Sequence, residues 1–196
     1  MFRIIMKPIM IGISGRARSG KDTVGEYLRN NHGFVTYAFA DPIKKAASEM
    51  FGIPLNYFYE DNLKETVIQD WGFSPRQIIQ KLGTEAGREI FRDDIWIKRA
   101  EVEWDNFTFH NKKSIEKNMS YYNGMAFTDV RFENEASMIR NNGGIIMHIK
   151  KDNVAHVSHH KSEDGIEIKD GDVTINNNKT IKELYDNVYR VMSDIL

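Results

Sequence analysis

The 196-residue sequence contains no cysteine. Disulfides, thiolate metal sites and cysteine nucleophiles are thereby excluded, and a reducing compartment such as the cytoplasm is the expected setting. Nor is there an excess of charge: 27 Lys and Arg stand against 28 Asp and Glu, for a formal net charge of -1. A balanced field favours neither nucleic acid nor an anionic membrane as a partner, so any phosphate site must be local. Long apolar runs are missing too. The N-terminal stretch MFRIIMKPIMIGIS is broken by Arg3, Lys7 and Pro8 and has no small-residue cleavage site, so it reads as a short leader and a strand. No other segment approaches the roughly 18 uninterrupted apolar residues of a membrane-spanning helix. What is left is a soluble chain with 41% hydrophobic residues. That suffices for one core and is short for two, so a single domain over residues 1–196 is expected.

Short apolar runs at 9–14, 34–40, 125–129, 145–149 and 173–175, most of them flanked by Gly, Asn or Asp, are candidate strands. Helical patterns lie between them at 20–30, 42–51, 75–90, 93–104, 134–140 and 179–195. This alternation predicts an α/β fold with a central parallel sheet of about five strands, covered on both faces by helices. Ligands of such sheets bind beyond the carboxyl ends of the strands. Two polar stretches, 107–124 and 150–171, read as insertions forming mobile loops or a lid, and an acceptor-binding region is expected at about 41–105.

The first strand runs into Gly15-Arg16-Ala17-Arg18-Ser19-Gly20-Lys21, followed by the helical pattern Val24, Tyr27, Leu28. Strand, glycine-rich loop and helix in that order are the context of a Walker A phosphate loop. Gly15 and Gly20 permit backbone conformations in which successive amides point inward at phosphate oxygens, and the helix adds its positive N-terminal end. Lys21 would reach the terminal phosphates of ATP as a point charge. The residue after the lysine, commonly a Ser or Thr that lends a hydroxyl to magnesium, is Asp22, with Thr23 next. A carboxylate there can hold Mg2+ directly or through water, while Thr23 can touch a phosphate or cap the helix.

In SPRQIIQKLGTEAGREIF an α-helical wheel puts Ile79, Leu82, Ala86 and Ile90 on one stripe, expected to face the core. Arg76, Gln80, Gly83, Thr84 and Gly87 fall on another flank, roughly 130° around at about 100° per residue. Each interior glycine costs about 1 kcal/mol relative to alanine, so close approach by a ligand or another backbone should exploit it. Arg76 offers a fork for phosphate, Gln80 can donate and accept toward a base edge, and Thr84 adds a hydroxyl. The alternative is a solvated flank whose glycines admit a neighbouring helix. Asp41 and Lys44 follow the second strand, Arg88 and Arg92 extend the basic character, and Trp96 suits either the core or a wall against a base.

Asp129 ends the third strand in the manner of a Walker B carboxylate, which holds magnesium or orients a reacting group. Arg131 can stabilise transferred charge, or pair with Glu133 or Glu135. His156, His159 and His160 lack the accompanying ligands of a metal site, and with Lys150, Lys151 and Lys161 they fit a cationic lid better. Asn178-Lys179-Thr180 begins the Asn-Lys-x-Asp guanine signature, but Ile181 stands in the fourth place, which disfavours a GTPase.

Taken together, GRARSGKDT, FADPIK, SPRQIIQKLGTEAGR with DDIW, TDVRFENEA and DGDVTINNNKTIKELYDNV resemble the deoxynucleoside monophosphate kinases of tailed bacteriophages over residues 12–191. The resemblance implies a P-loop fold with acceptor-binding and lid insertions, and location in a host cytoplasm. It implies that Ser19, Lys21, Asp22 and Thr23 serve ATP and magnesium, with Asp22 matching the family's own GKD variant. By the same likeness Arg76, Gln80, Gly83, Thr84 and Trp96 line the acceptor site, Asp129 lies near the reacting phosphates, and GDVTINNN borders the donor adenine. The expected reaction is in-line transfer from MgATP to a deoxynucleoside monophosphate, with Lys21, Asp22, Asp129 and Arg131 as catalytic groups. The alternatives are another GKD-type kinase, acting on phosphomevalonate or dephospho-coenzyme A, and a non-catalytic ATP-binding module. The sequence leaves open whether two copies pair as a homodimer.

Overall fold

The computed structural model describes residues 7–152 and 165–196. By its internal contacts the chain divides into two compact units, one comprising residues 1–38 and 100–196, the other residues 39–99.

In the first unit five strands, β1 (Ile9–Ser14), β2 (Phe34–Tyr37), β3 (Gly124–Val130), β4 (Ile145–Lys150) and β5 (Val173–Asn176), form one parallel sheet in the order β2-β3-β1-β4-β5. This is the expected α/β P-loop architecture. Central strands covered on both faces need apolar side chains on both, and β1 is buried throughout from Met10 onward. Ile11 and Ile13 point to the face where α1 (Lys21–His32) and α6 (Ile181–Ile195) contribute Val24, Leu28, Leu184, Val188 and Met192 to the core. Gly12 points the other way, and a Cβ there would come within 2.8 Å of Ile139 Cδ1 on α5 (Glu133–Asn141), so that helix covers the opposite face. The neighbours of β1 are β3 and β4, which follow from opposite directions of chain travel. The crevice beyond the carboxyl end of β1 is therefore the topological switch point at which such sheets bind ligands.

The polar stretch 107–124 is not the loop or lid expected of it. No glycine or proline interrupts the chain between Gly87 and Gly124, so nothing breaks the helix that starts at Ile95, and α4 runs on to Glu116. Its return to the sheet is fixed by the buried Asn111. The Asn111 side chain donates to the Tyr122 carbonyl at 2.9 Å and accepts from the Tyr122 amide at 2.8 Å. His156, His159, His160 and Lys161 of the expected lid lie outside the described residues.

The second unit holds α2 (Asp41–Phe51), a 3-10 turn (Leu55–Phe58), α3 (Pro75–Gln80) and, directly continuous with α3, a π-helix (Lys81–Phe91). Ala47, Ile53, Phe58 and Ile78 form its core. α3 begins on a Ser74–Gln77 capping box, with Pro75 in the first turn. The expected stripe Ile79, Leu82, Ala86, Ile90 holds at its start and fails at its end: Ile79 and Leu82 pack against this core, but Ile90 is 76% exposed, while Gly83, Thr84, Gly87 and Arg88 are buried. The π-helix is the reason. With roughly 4.4 residues per turn instead of 3.6, each residue rotates about 18° less, so about ten residues on, the wheel is wrong by about half a turn.

Candidate active site

At the carboxyl end of β1 the loop between Gly15 and Gly20 curls back on itself. Gly15 (φ 152°), Arg18 (φ 62°) and Gly20 (φ 103°) have positive φ, and α1 starts immediately after at Lys21. Alternation of this kind turns backbone amides toward a common centre, an anion nest backed by a helix N-terminus. Side chains would be obstructed at both glycines: a Cβ on Gly15 would lie 2.5 Å from Ile149 O, and one on Gly20 would lie 2.5 Å from Asn177 Nδ2. Lys21 is 7% exposed and folds inward, its Nζ donating to the carbonyls of Gly15 at 2.7 Å and Arg16 at 2.8 Å. Ser19 is 1% exposed, and its hydroxyl has no hydrogen-bond partner among the described residues. A buried ammonium resting on neutral carbonyls, beside an orphaned hydroxyl and inward-turned amides, fits the oxygens of a polyphosphate.

The side chain of Asn177, just past β5, donates to Ser19 O at 2.8 Å and ties the loop to the far edge of the sheet. Asn178 clamps Asp152, accepting its amide hydrogen at 2.7 Å and donating to its carboxylate at 2.7 Å. Neither role was assigned from sequence. The hints were the resemblance that sets GDVTINNN beside the donor, and a run of three turn-forming amides at the end of a strand.

Asp129 is half-buried near the end of β3, the strand beside β1. Gly12 pairs with Phe127 and Ser14 with Val130, so β3 carries one extra residue over the span that includes Asp129. A bulge of this kind re-aims a side chain at the mouth of a sheet. Directly after it, Glu135 accepts the amide hydrogens of Arg131 at 2.8 Å and Phe132 at 3.1 Å, turning the chain into α5. Arg131 then lines a cavity of about 540 Å³ with Gly15, Arg16, His148, Lys150 and Lys151. Asp22 is exposed and Thr23 half-buried in the first turn of α1. Among the described residues no three His, Cys, Asp or Glu side chains cluster as a metal cage. One or two carboxylates beside a phosphate site, with water and phosphate oxygens completing the shell, is the pattern Mg2+ adopts.

The family model described as deoxynucleotide monophosphate kinase matches residues 9–54 and 53–188. The chain belongs to the deoxynucleotide monophosphate kinase family. Among its relatives is a protein of Acanthamoeba polyphaga mimivirus, provisionally named a deoxynucleotide monophosphate kinase, 33% identical over 92% of this chain and 94% of its own. The deoxynucleotide monophosphate kinase of Enterobacteria phage T4 is 23% identical over 91% of this chain and 96% of its own. A solved dephospho-CoA kinase from Campylobacter jejuni is 14% identical, covers 95% of this chain and 96% of its own, and superposes with a TM-score of 0.46. Members of this family are phosphotransferases, and this chain is one of them. No helix among the described residues is long and apolar enough to cross a membrane.

The side chains expected to hold this kinase's acceptor lie in the second unit. Arg76 Nε donates to Glu65 Oε1 at 2.6 Å. Asp41, at the start of α2, accepts from Tyr59 OH at 2.9 Å and lies 3.4 Å from Lys44 Nζ, which sits 4.0 Å above the Tyr59 ring. Gln80 is half-buried at the end of α3, while Thr84 and Arg88 are each 6% exposed, with Arg88 Nη1 donating to Asp93 O at 2.7 Å. The close approach that the glycines permit is made by side chains of their own unit. A Cβ on Gly83 would lie 2.9 Å from Ile43 Cδ1, and one on Gly87 would lie 2.7 Å from Trp96 Cζ2. Trp96 Nε1 donates to Gly83 O at 2.7 Å.

A buried ionic cluster, also missed from sequence, holds the chain leading into β5. Asp172, 1% exposed at its side chain, accepts from Arg140 Nε at 3.1 Å and Nη2 at 2.6 Å and from the Lys169 amide at 2.9 Å, and lies 3.0 Å from His148 Nε2. Burial pushes the Asp172 carboxyl up, but the Arg140 bonds, the Lys169 amide and His148 outweigh it and hold the carboxyl at about 2. Arg140 Nη2 also donates to Glu167 O at 3.0 Å, and its Nη1 to Glu133 at 2.8 Å, while Glu133 pairs with Lys169 as well. This fixes Ile166 and Ile168, which wall the cavity beside Gly15 and Arg16.

Proposed function

We propose that this protein transfers the γ-phosphoryl group of ATP to a deoxynucleoside monophosphate, giving ADP and the diphosphate. The observation that carries the reading is the inward-folded Lys21 within a loop of positive-φ residues at the carboxyl end of the central strand; membership in the family supports the choice of acceptor. Residues 15–23 hold the ATP phosphates, with Asp22, Thr23 and Asp129 assigned to its magnesium. When bound, Mg2+ neutralises phosphate charge and aligns the oxygens. Asp41, Lys44, Arg76, Gln80, Thr84, Arg88 and Trp96 are assigned to the acceptor, and Gly83 serves it by receiving the Trp96 bond.

In the transfer an acceptor phosphate oxygen bonds to the γ-phosphorus as the bond to the β,γ-bridging oxygen breaks, and the electron pair leaves with ADP. The acceptor oxygen is already ionised at neutral pH, so no general base is required. Positioning and charge neutralisation supply the catalysis. Lys21 exchanges its two carbonyl partners for phosphate oxygens, and Arg131, held at the cavity by the Glu135 turn, stabilises the charge in transit.

The test is ADP release in a coupled assay with MgATP and each of dTMP, dGMP, dCMP, dAMP, 5-hydroxymethyl-dCMP and the ribonucleotides. Turnover with one or more deoxynucleotides is expected. ATP binding with no turnover on any of them would overturn the reading in favour of another small-molecule kinase or a binding module.

A further inference from the structure

The π-helix is wedged by a side chain from outside it. In an α-helix the carbonyl of Gly83 would accept from the amide of Gly87. Here the Gly83 carbonyl takes Trp96 Nε1–H at 2.7 Å, and the indole edge occupies the space beside Gly87, where a Cβ would fall 2.7 Å from Cζ2 and 2.9 Å from Nε1. At the far end the wider spacing persists, since Gly87 O accepts from Arg92 N, five residues on, at 3.1 Å. The indole, anchored on the Gly83 carbonyl, thus competes with the narrower helix for the volume beside Gly87.

The width decides which side chains line up. Arg76, Gln80, Thr84 and Arg88 are spaced by four. In a continuous α-helix they would advance by about 40° each and spread over about 120°. In the observed chain the step within α3 advances by about 40°, but each step in the π-helix falls back by about 33°, so all four lie within an arc of about 65°.

We propose that Trp96 is a positioning residue for the acceptor: by holding residues 81–91 in the wider helix it brings Thr84 and Arg88 beneath Gln80 and Arg76. The proposal rests on the assignment of those side chains to the acceptor. It gives Trp96 an action through Gly83 and the helix, since its N–H is spent on a backbone carbonyl rather than offered to a base.

The experiment is a double-mutant cycle of Trp96→Phe and Gly87→Ala in the full chain, reading KM for each substrate, kcat and Tm. Trp96→Phe keeps an apolar ring but removes the N–H and the larger ring edge. It should raise KM for the deoxynucleotide about tenfold, the scale of one unsatisfied buried acceptor, and leave KM for ATP unchanged. Gly87→Ala should do the same by expelling the indole. Combined, the two should be no worse than Trp96→Phe alone, because the wedge can be removed only once. Multiplying defects, or a rise in KM for ATP equal to that for the acceptor, would overturn the proposal. Wild-type enzyme that turns over no deoxynucleotide would overturn the acceptor assignment and the positioning role with it. The Tm values of the four proteins would still separate the cases, since additive Tm losses would also exclude the wedge itself.

Discussion

The candidate-site cations of the two units are held in different ways. In the first, the Lys21 ammonium rests on two carbonyl oxygens, which are neutral. In the second, Arg76 is bonded to the Glu65 carboxylate, Lys44 lies beside Asp41, and Arg88 is held by the carbonyl of Asp93 with its carboxylate 3.9 Å away. A phosphate arriving at Arg76 must displace a carboxylate and keeps only the difference between the two attractions. The side assigned to the acceptor is therefore neutralised by its own acids until the ligand competes for them.

Breaking the side assigned to the donor should have the largest effect. Lys21→Ala is expected to lower kcat by at least about a hundredfold to a thousandfold, or about 3–4 kcal/mol of transition-state stabilisation, with the fold intact by circular dichroism. Near-normal turnover would remove Lys21 from the mechanism.

Asp172→Asn comes next and acts on stability. It leaves the half-buried Arg140 without its main counter-ion, at a cost of about 2 kcal/mol, read as a fall in Tm or denaturation midpoint. The same carboxylate gives a pH signature. Its folded-state pKa, about 2, lies below the unfolded value of 3.8, so the stabilisation is fully present above pH 3.8 and is lost as pH falls through about 2. Asp172→Asn should flatten that part of the acid profile, and an unchanged profile would sever the link to this residue.

Removing the acid that neutralises Arg76 sharpens the comparison in the opposite direction. Glu65→Gln should lower KM for the acceptor severalfold, in keeping with the ~0.5–1 kcal/mol of a partly exposed ion pair, without changing KM for ATP. A higher acceptor KM would mean that Glu65 orients Arg76 rather than competing for it.

The smallest effect is expected at His32, in the α1 end that packs against Tyr27 and Tyr189. Burial lowers its pKa, and its Nε2 has no hydrogen-bond partner among the described residues. Its contribution is present above its unfolded pKa of 6.5 and lost as pH falls through the lower folded value. A shallow loss of Tm below pH 6.5 should disappear in His32→Phe, and its persistence would assign the slope elsewhere.

The phosphate loop, the five parallel strands and the carboxylate ending the third were legible in the sequence because each is written in consecutive or regularly spaced residues. Strands covered on both faces read as continuous apolar runs, and the loop lies within nine neighbouring positions, Gly15 to Thr23. The polar composition of 107–124 concealed a helix; the absence of glycine and proline was the better guide.

What only the tertiary structure decided came from partners far along the chain. Asn177 secures Ser19 across 158 positions, and Arg140 meets Asp172 across 32. Neither pairing carries a local signal, because a polar side chain has no preferred distant partner until the sheet brings two strand ends together. The helix after Pro75 is the sharpest case. Residues 75–91 carry an α-helical pattern that places Ile90 inside, and the folded chain places it outside. The sequence determined that these residues are helical, since local propensity depends on near neighbours. It did not determine the width of that helix: the two forms differ by only about 18° per residue, and a tryptophan 13 positions beyond Gly83, anchored on its carbonyl, settles between them by filling the space beside Gly87.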